Sequence, residues 1–276
     1  MTDSIELNSL TLVKVYLINY SLLFVRYLIF AGLAYTFFWV WKKKKFQPYR
    51  IQKKFPSRAS ILTEFKYSAS TFLIFSLVGV GIFIGKQMGW TRIYNDVSEY
   101  GWGYLVFSLI ATILIHDTYF YWAHRMMHHR LLFKKVHLVH HLSTNPSPWA
   151  SFSFHPYEAV LEAGILPLIV LILPIHPIAI LLFILYMTMM NVLGHLGYEF
   201  YPKHFVKSPV WNWNNTSVHH NMHHKKFNCN YGLYFNWWDK ICNTNHPEYA
   251  DEFERVVSGR LIETSEESGV TLKTAA

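Results

Sequence analysis

The sequence predicts an all-α integral membrane protein, a helical bundle of about four or five membrane segments with a cytoplasmic, histidine-rich helical cap that holds a di-metal site. Hydrophobic residues make up 52% of the 276 residues, whereas charged residues make up only 15%. Fifteen of the sixteen histidines fall between His116 and His224. The composition indicates membrane spans, and the histidine density indicates metal ligation, because neutral imidazole is the commonest metal ligand in proteins.

The apolar stretches define the membrane segments. Three of them, 19–41, 67–85 and 104–123, approach the length of about 20 residues that crosses a bilayer, although Arg26 interrupts the first. A further apolar region, 159–194, is broken at Pro174-Ile-His-Pro177, and each half is short for a full crossing. It predicts a hairpin, formed by two short spans or by a re-entrant segment, that returns the chain to the face it left.

Charge sets the predicted orientation. The loop 42–66 carries nine lysines and arginines, whereas the loop 91–101 carries only Arg92. By the positive-inside rule the first loop is cytoplasmic, so the third span returns to the cytoplasm near His124. Anionic lipid headgroups, and no nucleic acid, are the expected counter-charge for the net charge of +8. The chain is therefore expected to be a multi-pass protein of the bacterial inner membrane or the endoplasmic reticulum.

Histidine spacing predicts the metal site. Residues three and four apart lie on one face of a helix. Such spacing occurs in His137-Leu-Val-His140-His141, in His220-Asn-Met-His223-His224 and in His124-Arg-Met-Met-His128-His129. Three such faces offer more nitrogens than one tetrahedral zinc uses, which favours two metal ions. The only cysteines, Cys229 and Cys242, argue against a disulfide framework, a cysteine-type zinc site and an iron–sulfur cluster.

These segments resemble the fatty acid hydroxylase superfamily, which includes sterol desaturases and lipid hydroxylases. The resemblance spans roughly residues 100–243. It is carried by the stretch from His116-Asp-Thr-Tyr to His128-His129, by Lys135-Val-His137-Leu-Val-His140-His141, by Phe154-His155-Pro-Tyr-Glu158, by the His220 segment, and by Asn230-Tyr-Gly232 and Trp238-Asp239. One departure is Lys240-Ile-Cys-Asn-Thr244, where many relatives have a Gly-Thr pair.

The resemblance implies a non-haem di-iron oxidoreductase that uses O2 to hydroxylate or desaturate a lipid, whether fatty acyl, sphingolipid-like or sterol-like. It implies that no catalytic residue is needed beyond the metal ligands, and zinc could replace iron in purified protein. No flavin, haem or iron–sulfur motif is present, so a separate cytochrome b5-like or ferredoxin-like donor with its reductase is expected. The resemblance, and for His195 the return of the hairpin to the cytoplasmic face, give these ligands: His124, His128, His137, His140, His141, His195, His220, His223 and His224.

Further side chains are candidates for the metal site or for support of its ligands. His129 could replace His128, and His219 could replace His220. The pair His116 and Asp117 could orient a ligand. His155 could support the ligands or face the substrate, and Asp239 could hydrogen-bond a ligand imidazole.

The sequence predicts three regions. Residues 1–100 form an N-terminal transmembrane region with the basic loop, 101–250 form the hydroxylase-like catalytic domain, and 251–276 form a flexible tail.

A zinc-dependent membrane hydrolase is one alternative function, disfavoured because HExxH is absent. The other alternative is a non-enzymatic metal-binding or transport protein.

Overall fold

The computed structural model describes residues 7–268. The regular secondary structure of these residues consists of helices joined by loops, without any β-strand. The helices are α1 (Ser9–Ala34), α2 (Arg58–Gln87), α3 (Gly101–Met127), α4 (Phe133–Val136), α5 (Leu138–His141), α6 (Pro156–Ala163), α7 (Ile165–Ile172), α8 (Pro177–Gly194), α9 (Ser217–Lys226), α10 (Trp237–Ile241) and α11 (Tyr249–Ser268). Short 3-10 turns lie at Gln47–Tyr49, Val97–Glu99, Pro148–Phe152 and Phe205–Lys207.

Four helices are long and apolar enough to cross a membrane. They are Ser9–Trp41, in which a π-helical turn at Tyr35–Trp41 continues α1, then α2, α3 and α8. Each of the first three contains one of the predicted apolar stretches and extends beyond it, because polar residues at a membrane surface can continue a helix. The prediction of an all-α bundle with about four or five membrane segments is confirmed.

The predicted hairpin is formed by α6, α7 and α8, with its apex at Pro174-Ile-His-Pro177. The apex pairs with the loop between α2 and α3, where Tyr94 N donates to Ile175 O at 3.2 Å and Ile175 N donates to Arg92 O at 3.1 Å. The hairpin therefore extends from the histidine end of the bundle to the level of that loop. His195 follows α8 directly, so the hairpin brings the chain back to the histidine end.

The two N-terminal spans pack tightly against each other. Tyr27, Phe72 and Phe152 form a fully buried aromatic cluster between α1, α2 and the turn Pro148–Phe152. Nearer the start of α1, a Cβ atom added to Gly79 would lie only 2.7 Å from Asn19 Nδ2. Glycine at position 79 thus lets α2 approach the Asn19 amide closely.

The basic loop packs at the histidine end of the bundle. Ile51 N donates to Gly197 O, two residues after His195, at 3.1 Å. Gln52 Nε2 donates at 2.9 Å to Oδ1 of Asn221, a residue of α9. Arg50 is buried, with its guanidinium 4.1 Å from the Trp39 ring centre, a cation–π contact. These contacts fix the basic loop beside α9 and the residues that follow α8.

The C-terminal segment differs from the predicted flexible tail over its first part. Residues Tyr249–Ser268 form α11, and Phe253, Val256 and Val257 are buried against Val218 and Met222 of α9. The reason is helical spacing, because positions three and four apart place these apolar side chains on one face. Residues 269–276 of the predicted tail lie outside the described residues.

Candidate metal centre

Nine histidines converge at one end of the bundle in two adjacent sets. Within each set one ring nitrogen of every member lies within 4.8 Å of the others. We call the first the five-histidine set (His124, His128, His137, His141 and His223) and the second the four-histidine set (His140, His195, His220 and His224). Together they contain every residue that the sequence predicts as a metal ligand.

Four elements carry these side chains. Helix α3 ends with His124 in its last turn and His128 as its C-cap, and α8 ends with His195 as its C-cap. Helix α9 contributes the His220 segment, and its N-cap is Thr216, whose side chain accepts from His219 N at 3.1 Å. The segment that carries His137 is not one helix, because His137 lies between the single turns α4 and α5. Both HxxHH segments are divided between the sets: His141 and His223 lie in the five-histidine set, whereas His140, His220 and His224 lie in the four-histidine set.

Hydrogen bonds at Nδ1 fix which nitrogen of several rings carries the proton. His124 Nδ1 lies 2.8 Å from Tyr231 O, His223 Nδ1 lies 2.7 Å from Cys229 O, and His195 Nδ1 lies 2.8 Å from Asn191 O. A carbonyl oxygen only accepts, so each of these rings donates from Nδ1. In the neutral ring this leaves an unprotonated Nε2 that points into the site.

Where both facing rings donate from Nδ1, as His124 and His137 do, their Nε2 atoms lie too close together for two lone pairs. His124 Nε2 lies 3.0 Å from His137 Nε2, and His223 Nε2 lies 3.0 Å from His141 Nε2. In the four-histidine set His220 Nε2 lies 3.0 Å from His195 Nε2. Lone pairs that face one another repel, whereas a cation between them would accept electrons from both. The donor sets therefore fit one metal ion each.

Burial keeps these rings neutral. Desolvation, reinforced by the neighbouring histidines, lowers the pKa well below 6.5 for the following rings: His137, His140, His141, His220, His223 and His224. Burial also lowers the pKa of His195, to about 4. Neutral imidazole is the form that binds metals, so the site is in a ligating state at neutral pH.

Glu158 is a functional side chain that the sequence did not single out. Its Oε1 lies 2.8 Å from His137 Nδ1, and both side chains are buried. Metal-binding histidines commonly donate their second nitrogen to such a carboxylate, which orients the ring. Glu158 lies 21 residues after His137, and no local spacing connects them; its place in the Phe154-His155-Pro-Tyr-Glu158 segment was the only available signal.

The remaining candidates lie outside the two sets. His129 is exposed, one residue beyond His128 at the end of α3. His155 is the N-cap of α6, where its Nδ1 accepts from Tyr157 N at 3.3 Å. His116 is buried, and its ring lies parallel to Tyr234, with the ring centres 5.5 Å apart. Asp117 accepts from Tyr234 N at 2.8 Å and from Trp237 Nε1 at 2.9 Å, so it anchors the chain before α10.

Asp239 supports the metal centre through the loop before α10. Its carboxylate accepts from Tyr231 N at 2.9 Å, from Gly232 N at 2.7 Å and from Thr244 Oγ1 at 2.7 Å. It also lies 3.5 Å from Nε2 of His219, which is in neither histidine set. Burial raises the pKa of Asp239, but the interactions with His219, Thr244 and Gly232 outweigh burial and lower it to about 2. The anchored loop presents Tyr231 O to His124.

Two cavities adjoin the histidines. One, of about 330 Å³, lies at the end of α8 and is lined by His195 and His220 together with Asn191, Leu233 and Thr216. The other, of only about 10 Å³, faces the interior of the bundle, between both histidine sets and α6, and its wall includes Phe120, Phe154, Glu162 and Asn191. Asn191 lines both cavities, so the four-histidine set is approached from two sides.

Comparison with known proteins links these features to enzymes of lipid metabolism. Residues 109–244 match the fatty acid hydroxylase family. The chain is 30% identical over 213 residues to a Delta(7)-sterol 5(6)-desaturase of Gibberella zeae, covering 77% of this chain and 62% of that protein. It is 28% identical over 190 residues to lathosterol oxidase of Rattus norvegicus, covering 67% of this chain and 61% of that enzyme.

A Delta(7)-sterol 5(6)-desaturase of Aspergillus fumigatus is 28% identical over 242 residues, covering 81% of this chain and 73% of its own length. The chain spans about three fifths of the length of the first two relatives. No solved structure matches.

Proposed function

Because the chain belongs to the superfamily of fatty acid hydroxylases and sterol desaturases, we propose that it is a membrane-bound oxidoreductase that hydroxylates or desaturates a lipid with O2 and external electrons. The observation that carries this proposal is the convergence of nine histidine ring nitrogens in two adjacent sets, in which hydrogen bonds at Nδ1 leave Nε2 of His124, His223 and His195 unprotonated. The relatives are named for Delta(7)-sterols and lathosterol, so a sterol-like substrate is the first candidate.

The two histidine sets would each hold one iron ion, and bound iron would supply the activation of O2 and the oxidation of a C–H bond. The chain's own residues orient the ligands. Glu158 holds the His137 ring, and the carbonyl groups of Tyr231, Cys229 and Asn191 hold the rings of His124, His223 and His195. Burial of the rings keeps bulk water away from the reacting atoms.

A lipid would reach the site from within the bundle. The cavity beside the histidines has aromatic walls, formed by Phe120 and Phe154, and the polar side chain of Asn191 at its edge. An apolar wall binds hydrocarbon, while the small number of polar groups orients it. This arrangement supports an apolar substrate whose target carbon lies next to the four-histidine set.

The electron donor would dock on the outer face of the centre. Five exposed basic residues lie within three positions of the proposed ligands: Arg130, Lys134, Lys135, Lys225 and Lys226. Positive charge there favours an acidic donor, such as a cytochrome b5-like or ferredoxin-like protein. The basic loop packs at the same end of the bundle, which supports a cytoplasmic position for the site.

The proposed function is tested with protein purified from iron-replete cells. We expect about two iron ions per chain and O2-dependent conversion of a sterol to a product that has gained one oxygen atom or lost two hydrogen atoms. Lipid profiles of cells with and without the gene identify the natural substrate by the same mass differences. One zinc ion without iron, or activity without O2, would refute the proposal, and metal flux into vesicles without lipid oxidation would favour transport.

The donor site is tested by reversing charge. A Lys134→Glu, Lys135→Glu double variant should lose about tenfold or more in the rate of reduction by an acidic donor protein at low salt. Reduction by a small chemical reductant should stay unchanged, because it needs no docking. The matched control is Lys14→Glu in α1, an exposed residue far along the chain from the histidines. Equal rates for both variants would place the donor elsewhere.

A further inference from the structure

A second cavity lies deep in the bundle, between α1, α2, the α6–α7 segment and α8. Its walls are mostly aliphatic and aromatic, and they include Leu23, Phe75 and Phe183. Four polar side chains face the same space: Asn19, Arg26, His116 and Glu162. An apolar cavity with a small number of polar groups is the usual form of a binding site for a small molecule.

This deep cavity is linked to the metal centre by a series of spaces that share lining residues. An intermediate space shares Phe75, His116 and Met187 with the deep cavity, and shares Phe120 and Asn191 with the cavity beside the histidines. Glu162 lines all three spaces. On α8, Met187 and Phe183 precede His195 by a helical distance of about 12 to 18 Å. The two spaces nearer the ligands measure about 30 and 10 Å³ and the deep cavity about 150 Å³, so side chains between them would move apart when one elongated molecule reaches from the ligands to the deep cavity.

A charged Arg26 side chain without a partner is unfavourable in free energy at this position. It lies near the middle of the span Ser9–Trp41, about 22 to 26 Å along the helix from either end. Its Nε is buried without a hydrogen-bond partner, and no carboxylate pairs with it within residues 7–268. Charged groups inside a membrane generally face a functional cavity.

Asn19 adds a second donor at the far end of the cavity. It precedes Arg26 by two helical turns, so both side chains lie on the same side of α1. Gly79 also lines the cavity, and any side chain there would collide with the Asn19 amide. The deep cavity therefore combines apolar walls with a guanidinium and an amide that can both donate hydrogen bonds.

We propose that the deep cavity binds an oxygen function of the lipid substrate, a hydroxyl or a carboxylate, through hydrogen bonds donated by Arg26 and Asn19. This assignment rests on the proposed function of the metal centre and specifies its substrate. The oxygen then lies on the far side of the connecting spaces from the carbon to be oxidised, as in a long-chain alcohol or acid oxidised along its chain or a sterol oxidised on its side chain. Arg26 is then a specificity-determining residue.

Binding is measured with metal-free, detergent-solubilised protein, so the result does not depend on catalysis. The probes are two pairs that differ only in one hydroxyl group: hexadecanol with hexadecane, and cholesterol with cholestane. The alcohols should raise the melting temperature more than the hydrocarbons do. In Arg26→Met, affinity for the alcohol of at least one pair should fall about tenfold, while affinity for its hydrocarbon stays constant or rises. The matched control is Lys14→Met, an exposed cation on the same helix.

Two outcomes would overturn the proposal. One is equal alcohol and hydrocarbon affinities in the wild type and in Arg26→Met. The other concerns the melting temperature. If Arg26→Met and Glu162→Gln each lower it and the double variant returns it to the wild-type value, Arg26 and Glu162 form a structural pair. In either case iron content and O2-dependent turnover would still decide the proposed function separately.

Discussion

His137 Nδ1 lies 2.8 Å from Glu158 Oε1, and this contact joins α6 to the metal centre. Both side chains are buried, so no water competes for the hydrogen bond. The carboxylate fixes the His137 ring with its Nε2 toward His124 Nε2, 3.0 Å away. Helix α6 also carries Glu162, which lines the cavities, so one helix both orients a ligand and lines the proposed path of the lipid.

Removal of the Glu158 carboxylate should weaken metal binding. Glu158→Ala leaves His137 Nδ1 without its partner, and we expect the affinity for iron to fall by about 10- to 100-fold, with a smaller loss in Glu158→Gln. Iron titration of the purified variants measures this. Glu248→Ala is the control, because Glu248 is exposed. Wild-type affinity in Glu158→Ala would show that His137 needs no carboxylate.

The two histidine sets should fill separately. His141→Ala removes a member of the five-histidine set, and His140→Ala removes a member of the four-histidine set. Each variant should retain about one iron per chain instead of about two, and each should lose lipid oxidation, because two-metal chemistry needs both ions. Metal analysis and product assays test this expectation.

His129→Ala is the control for that experiment. His129 is exposed at the end of α3, whereas His128 belongs to the five-histidine set, so His129→Ala should keep its iron and its activity. Loss of iron in His129→Ala with retention in His128→Ala would exchange the two assignments.

Gly232→Ala should disturb the loop that orients His124. A Cβ atom at position 232 would lie 2.6 Å from Phe235 O and 2.9 Å from Asp239 Oδ2, so the backbone would have to move. The neighbouring Tyr231 O would then shift from His124 Nδ1. We expect about 1–3 kcal/mol of destabilisation, together with weaker iron binding.

Gly81→Ala is the matched control for the loop, because a Cβ atom there meets nothing within 4 Å. Thermal melting and iron titration of the two variants separate the local clash from a general effect of replacing glycine. Similar values for both would mean that the loop absorbs the added methyl group.

The metal-free protein should lose stability as the pH falls. The buried histidines, such as His140 and His223, have a pKa well below 6.5 in the folded chain because of burial and neighbouring rings. In the unfolded chain they protonate near pH 6.5, so the stabilisation is present above that pH and is lost progressively below it. Each such ring contributes up to about 1.4 kcal/mol per pH unit.

Melting temperatures of chelator-treated protein between about pH 8 and pH 5 measure this effect, given reference pKa values near 6.5. His129→Ala should follow the wild-type curve, since that side chain is exposed. A melting temperature that does not change over this range would mean that the rings protonate without unfolding the site.

Local patterns were sufficient for the membrane spans and the helical class. The span Ser9–Trp41 and helices α2 and α3 each contain a predicted apolar stretch, because the length of a span depends on consecutive residues alone. The C-terminal helix is different. Its apolar residues Phe253, Val256 and Val257 are few, and their burial depends on α9, which a reading of residues 251–276 alone cannot include.

The sequence by itself determined the membrane class and the histidine segments, because composition and spacing are properties of neighbouring residues, and its resemblance to a known family supplied the set of candidate ligands. Only the tertiary structure decided how the nine histidines divide into two sets, with His140 and His141 on opposite sides of that division. It also decided that Glu158 lies against His137 and that Arg26 lines a cavity in the interior of the bundle. These relationships arise where helices far apart in the chain pack together, and no local spacing records that packing.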